Sequence, residues 1–201
     1  MFIGDTSRFA LESGITKAYE RLGFRALGFF VIWICGKRYG VCAPDATLLA
    51  CSFDAVRERI VRRSEHKAPF SQHPNGGQIA DAYRDAIYAP DQENSEYFGI
   101  SYWEFREILF SNDIQWAPDG DEAFDDWSHV LQFDVGNDVR LIAFRSEETG
   151  YHHSPETLAD ITIPADEFYG VLSQWSDAFE QEWIAAPKIS ESEDGAEGGR
   201  C

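Results

Sequence analysis

Val130-Leu131-Gln132-Phe133-Asp134-Val135, then Gly136-Asn137-Asp138, then Val139-Arg140-Leu141-Ile142-Ala143-Phe144: this stretch decides the fold. Two runs rich in apolar residues flank a Gly-Asn-Asp turn, the pattern of an antiparallel hairpin. Downstream, Thr157 to Pro164 reads as a further strand. Pro164 then opens a helix to about Ala185, because a proline's missing N–H costs nothing at a helix start. Glu167 lies in the first turn, where the helix dipole favours an acid. Phe168, Val171, Leu172, Trp175, Phe179 and Trp183 recur every three or four residues and form one buried stripe.

Upstream the pattern is strands, then a helix. Arg8 to Thr16 alternates loosely through Phe9, Leu11 and Ile15. Phe29 to Ile34 has the aromatic and β-branched character of a central strand. Gly36-Lys37 signals a turn and Tyr39 to Cys42 a return strand. Ser52 to Ser64 puts Phe53, Val56, Ile60 and Val61 on one helical face, with Ser52 as its cap. The middle is less regular. Lys67 to Gln78 and Pro90 to Ser95 read as loops, and Ile79 to Tyr88 as a short helix. Tyr97 to Phe110 reads as a helix with Trp103, Ile108 and Leu109 in the core, and Ile114 to Trp116 as a short strand. The predicted class is α+β: a mainly antiparallel sheet, helices packed largely on one face, and an amphipathic C-terminal helix. Residues 1–187 form one domain, and 188–201 read as a disordered acidic tail.

Charge is distributed unevenly. Residues 1–64 hold ten Lys and Arg against six Asp and Glu, and residues 65–201 hold seven against twenty-nine. The whole chain of 201 residues carries −18. Such a surface excludes nucleic acid and anionic membranes as direct ligands, since both require clustered cations. It suits a basic protein partner reached by electrostatic steering. The N-terminus has an acid where a signal peptide has Lys or Arg. Ala26 to Gly36, uncharged for eleven residues, is about half the length of a spanning helix. A cytoplasmic location is expected, with Cys35, Cys42, Cys51 and Cys201 as buried free thiols rather than a disulfide framework. The sequence sets no oligomeric state.

Chemistry-bearing motifs are sparse. His152-His153 are adjacent, so their side chains diverge and do not share a metal. His129 reads as a hydrogen-bonded structural residue, and His66 and His73 fall in a flexible loop without zinc spacing. No nucleophile elbow and no phosphate-binding glycine loop is present. No metal and no cofactor is expected, and no enzymatic activity. The alternative is a small acid/base enzyme using carboxylates with His152 or His153. The stretch Asp119 to Asp126 carries five acids in eight residues but fails the calcium-loop pattern, with Phe124 and Val130 where Gly and Glu belong. Trp116 and Trp127 bracket it. Aromatic anchors beside acids suit a protein-binding patch for a basic partner.

Three stretches resemble a bacterial immunity-protein family, immunity protein 42. They are Ile3-Gly4-Asp5-x-Ser7-x-Phe9-Ala10-x-Glu12, Phe30-x-Ile32-Trp33-Ile34-x-Gly36-Lys37-x-x-Gly40 and Ile163-Pro164-x-x-Glu167-Phe168-Tyr169-x-Val171-Leu172. The resemblance implies an antidote encoded beside a polymorphic toxin, of the kind used in contact-dependent growth inhibition. Such a protein binds the C-terminal domain of its cognate toxin and has no catalytic residues. Toxins of this kind are often nucleases, which are cationic where they hold phosphate.

The expected toxin-binding residues are Asp113, Trp116, Asp119, Asp121, Glu122, Asp125, Asp126 and Trp127. Glu147, Glu148 and Tyr151 add a second contribution. The first group precedes the hairpin and the second follows it, and the outer ends of a hairpin are neighbours. The competing reading makes both tryptophans core residues and the acids a solvated surface.

Overall fold

In the computed structural model, which describes residues 1–116, 122–147 and 151–189, the chain opens with strands β1 (Phe2–Asp5), β2 (Phe9–Tyr19), β3 (Ala26–Ile34), β4 (Lys37–Tyr39) and β5 (Thr47–Leu48). Helices α1 (Leu49–Val61) and α2 (Gly76–Tyr88) follow, then a small hairpin, β6 (Glu96–Tyr97) and β7 (Ile100–Ser101), and helix α3 (Tyr102–Ser111). The expected hairpin is β8 (Ser128–Val135) and β9 (Asp138–Arg145). After it come β10 (Ala159–Pro164), helix α4 (Ala165–Ala185) and β11 (Lys188–Ile189). The class is α+β, as the sequence predicts.

The first sheet has the order β1-β2-β3-β4, with β5 beside β3 and β11 parallel to β2. The second has the order β10-β9-β8, antiparallel throughout. Its turn is Gly136-Asn137, with Val135 opposite Asp138 and Gly136 at φ 63°. A glycine at the first turn position reaches this left-handed backbone at little cost. The first sheet's turn falls one residue earlier than expected, at Cys35-Gly36, both with positive φ. Lys188 and Ile189 pair with Ala18 and Tyr19, so strand pairing runs two residues beyond the expected domain boundary. Residues 190–201, the rest of the expected tail, lie outside the described residues.

The two cores explain why the hairpin reads as nearly continuous apolar runs. Val130, Val139, Leu141 and Ala143 face the larger core with α1, α4 and the first sheet. Leu131, Phe133, Ile142 and Phe144 face the other way, into a core closed by α2 and α3. A sheet buried on both faces loses the polar alternation of a half-exposed one. The α4 stripe fills the larger core: Phe168, Leu172, Trp175 and Phe179 are fully buried. Trp175 donates from Nε1 to Ser13 Oγ at 3.0 Å, so its polar edge is satisfied.

Other expectations are corrected. α1 begins at Leu49, so Ser52 is buried within the helix and caps nothing, and Val61 is exposed. β4 stops at Tyr39 instead of reaching Cys42. Cys35, Cys42 and Cys51 are exposed, not buried; Cys201 lies outside the described residues. Gly76 and Gly77 open α2 rather than ending a loop, with Asn75 Oδ1 capping the helix by accepting from Gln78 N at 3.2 Å. A Cβ at Gly76 would stand 2.3 Å from Asp160 Oδ2. Only glycine lets α2 approach β10 so closely. Arg140 completes this junction. It forks onto both Asp160 oxygens at 2.8 and 2.6 Å and donates to the carbonyls of Ser71 and His73. The loop before α2 is thus fastened to the sheet. α3 starts at Tyr102, not Tyr97, because Phe98 and Gly99 both take positive φ and make the β6–β7 turn. Ser101 Oγ accepts from Glu104 N and caps the helix. Phe105 and Leu109 are therefore the core residues of α3, and Trp103 is exposed.

His66 is not in a flexible loop. It is fully buried, and its Nδ1 lies 3.0 and 3.1 Å from the carbonyls of Asn112 and Asp113. Two carbonyl neighbours place a proton on Nδ1. The backbone N–H of His66 donates to Asp134 Oδ2. Tyr169 Oη donates to Asp134 Oδ1 at 2.8 Å and accepts from Gln132 Nε2 at 2.9 Å. With Arg59 Nη1 donating to Gln132 Oε1, this polar chain joins α1, α4 and β8 through the core.

Candidate protein-binding surface

The open end of the β8–β9 hairpin brings part of both expected groups together, Glu122, Asp125, Asp126 and Trp127 with Glu147 and Tyr151. Ser128 pairs with Arg145 at the last rung. Beyond it Ser146 N donates to Trp127 O at 3.0 Å, and Glu147 N donates to His152 O at 3.2 Å. Residues 122–127 and the loop after β9 are therefore neighbours, as chain direction requires.

Asp126 organises this end. Its Oδ2 accepts from Gly40 N at 3.2 Å and from Arg145 Nε and Nη2 at 3.1 and 2.9 Å, and its Oδ1 accepts from Ser128 N at 3.2 Å. Arg145 also donates to Arg38 O. The carboxylate ties the short helical turn Glu122–Phe124 to the first sheet, assisted by Val41 N donating to Ala123 O. With Asp126 and Ser128 bonded inward, Trp127 between them takes φ 66° and stands 63 % exposed. A bulky residue in left-handed backbone is uncommon and costs on the order of 1 kcal/mol or more. The bonds on either side of Trp127 impose it. Glu122, Asp125, Glu147 and Tyr151 are exposed around the same end, while Ala123 and Phe124 are buried beneath.

The remaining expected residues separate. Trp116 is 3 % exposed. Its ring packs against both Phe9 and Phe168, with the Arg59 guanidinium 5.2 Å above it. Here the competing reading is the correct one: Trp116 is core, because Trp116 N donates to Val130 O and Ile114 O accepts from Gln132 N, laying residues 114–116 along β8. That same direction carries Asp113 toward the turn end of the hairpin. There its carboxylate lies 3.6 Å from Arg59 and 3.9 Å from Arg62, away from Trp127. Asp119, Asp121 and Glu148 lie outside the described residues.

The histidines have structural partners. His153 Nδ1 lies 2.7 Å from Asp81 Oδ1, which also accepts the His153 backbone N–H, and His152 is exposed. His129 is buried, stacked on Phe144, with Nε2 2.8 Å from Ser146 Oγ. Burial, and then the nearby Arg84 cation, push the His129 imidazole down to about 3. A histidine held neutral stabilises the fold fully above its unfolded pKa, near 6.5. That stability is lost as pH falls from there toward 3, because only the unfolded chain accepts the proton. By pH 5 the loss is roughly 2 kcal/mol. Unfolding free energies at pH 7 and pH 5 test this. The wild type should lose roughly 2 kcal/mol more than His129→Phe, which keeps the stack without the titration. An equal loss in both would remove His129 as the cause.

Among the described residues, no group of three or more His, Cys, Asp or Glu is placed to hold a metal ion. No helix among them is long and apolar enough to cross a membrane. Trp103, which the sequence pattern puts in the core, is exposed, as is Phe110. They lie seven apart on α3, opposite Phe105 and Leu109, a spacing that separates the faces once the helix start is known.

Comparison with known proteins agrees with the α+β frame. The crystal structure of CdiI from Burkholderia dolosa AUO158 is similar, with a TM-score of 0.53, 12 % identity, and coverage of 89 % of this chain and 99 % of that one. At that identity the likeness concerns the fold alone. Among curated proteins, none matches. The profile of the family described as Immunity protein 42 matches residues 1–178, a span that includes β1 to β10 and the first two-thirds of α4. This chain belongs to the Immunity protein 42 family.

Proposed function

We propose that the protein is the antidote of a polymorphic toxin system of the contact-dependent inhibition type. It acts in the cytoplasm of the cell that makes it, and it binds and neutralises the C-terminal domain of its cognate toxin without catalysis. Membership of the Immunity protein 42 family carries this reading. The name of the CdiI neighbour points the same way. The charge on residues 65–201, twenty-nine acids against seven bases, favours a basic toxin such as a nuclease. It draws the two together before contact and occupies the surface that would hold phosphate.

The contact surface in this reading is the open hairpin end. Trp127 is the anchor and Glu122, Asp125, Glu147 and Tyr151 form the rim; Asp119, Asp121 and Glu148, outside the described residues, are proposed as further toxin contacts. Asp126 positions Trp127 rather than touching the partner. Co-expression with the toxin domain encoded immediately upstream tests the function: the two proteins should co-purify and growth should be restored. Loss of both results would overturn the reading. The anchor is tested separately. Trp127→Ala should weaken binding by about 2 kcal/mol or more, mainly through faster dissociation. Its melting temperature should stay near wild type, because the ring is exposed. Unchanged dissociation would place the anchor elsewhere.

A further inference from the structure

We infer that the outward face of α3, carrying Trp103, Glu104, Glu107 and Phe110, is a second docking surface for the same basic toxin domain, an inference that rests on the toxin-binding reading. Phe105 and Leu109 bury the inner face of the helix. On the outer face Trp103 is 62 % and Phe110 55 % exposed. Trp103, Glu107 and Phe110 stand four and then three residues apart and share one side of the helix. Two large exposed aromatics on one helix are more than the scattered apolar residues of an ordinary surface.

Charge identifies the occupant. Residues 85–113 hold seven carboxylates, Asp85, Asp91, Glu93, Glu96, Glu104, Glu107 and Asp113, against the single base Arg106. Arg106 is engaged locally: its Nη1 donates to Ala86 O at 2.7 Å, and its guanidinium lies 5.4 and 5.3 Å from the Tyr102 and Phe110 rings. Tyr97 Oη donates to Asp85, and Asp113 lies against Arg59 and Arg62. Among the described residues, Asp91, Glu93, Glu96, Glu104 and Glu107 form no ion pair. Their field is left for a cationic surface, into which Trp103 and Phe110 would insert as desolvated anchors. This face lies over the α2–α3 core rather than at the hairpin end, so a toxin that uses both holds the protein at two places.

Binding kinetics against the upstream-encoded toxin domain, recovered from the co-purified complex, decide the matter. Trp103→Ala with Phe110→Ala should dissociate on the order of 30-fold faster, with melting unchanged because both rings are exposed. Glu104→Lys with Glu107→Lys should instead slow association at low salt, with the difference shrinking at high salt. If the wild type binds and both double variants match it within about twofold, a change worth only about 0.4 kcal/mol, the α3 assignment is wrong and the immunity reading stands. If the wild type itself does not bind, both fall. A wild-type dimer that Trp103→Ala with Phe110→Ala converts to monomer would also overturn the assignment, since a second copy would then cover the face.

Discussion

Replacing Arg59 by alanine is expected to lower stability by roughly 3–5 kcal/mol and the melting temperature by about 10 °C. Arg59 is 2 % exposed. It donates to the carbonyls of Asp113 and Gln115 at 3.0 and 2.8 Å and to Gln132 Oε1 at 3.1 Å, and it lies over the Trp116 ring. Burial pushes its guanidinium down to about 10, which still leaves it charged at neutral pH. Alanine recovers the cost of desolvating that charge, so the expected loss is what the broken hydrogen bonds and the void leave after that gain. Removing the cation takes one donor from each of two carbonyls and an amide oxygen and opens a void beside Trp116. Arg59→Lys should recover only part of the loss, since one ammonium cannot span the acceptors that the planar fork reaches. Denaturant unfolding measures both. A loss under about 1 kcal/mol, the scale of a single ordinary hydrogen bond, would show that this network does not hold α1 to β8.

Reversing charge at the hairpin end should slow toxin association by about 10- to 100-fold at low salt. The variant is Glu122→Lys, Asp125→Lys and Glu147→Lys together. All three residues are exposed, so the fold should survive. Asp126 is left in place because it accepts four hydrogen bonds within the protein. Steering acts before contact, so the effect belongs to the association rate and fades as salt screens the field. Stopped-flow mixing at low and high salt reads it. An unchanged association rate at low salt would move the site away from this end.

The parts of the molecule legible in sequence are those set by local pattern. Gly136-Asn137 fixes the hairpin and the three-and-four spacing of Phe168, Leu172, Trp175 and Phe179 fixes α4, since each is decided within a few residues. The meeting of residues 122–127 with the loop after β9 followed from chain direction alone. Other features depend on distant partners. Trp116 is aromatic beside acids in sequence, yet Phe9 and Phe168 enclose it from opposite ends of the chain. Trp103 reads as core until the positive φ of Phe98 and Gly99 delays the helix start. His66 lies in a polar stretch that reads as loop, and carbonyls more than forty residues away bury it. The hairpin's apolar runs identify strands but not their double burial, which requires α2 and α3 on the far side.

Residual toxin activity, followed over time at substoichiometric protein, tests the central claim most directly. If the protein neutralises its toxin by occupying it, activity should fall at once to a plateau set by the molar ratio. Inhibition should then be complete at equivalence, with no further decline. Continued loss of activity at a small fraction of equivalence would mean turnover, and no loss at equivalence would mean no neutralisation. Either result would contradict a non-catalytic immunity protein.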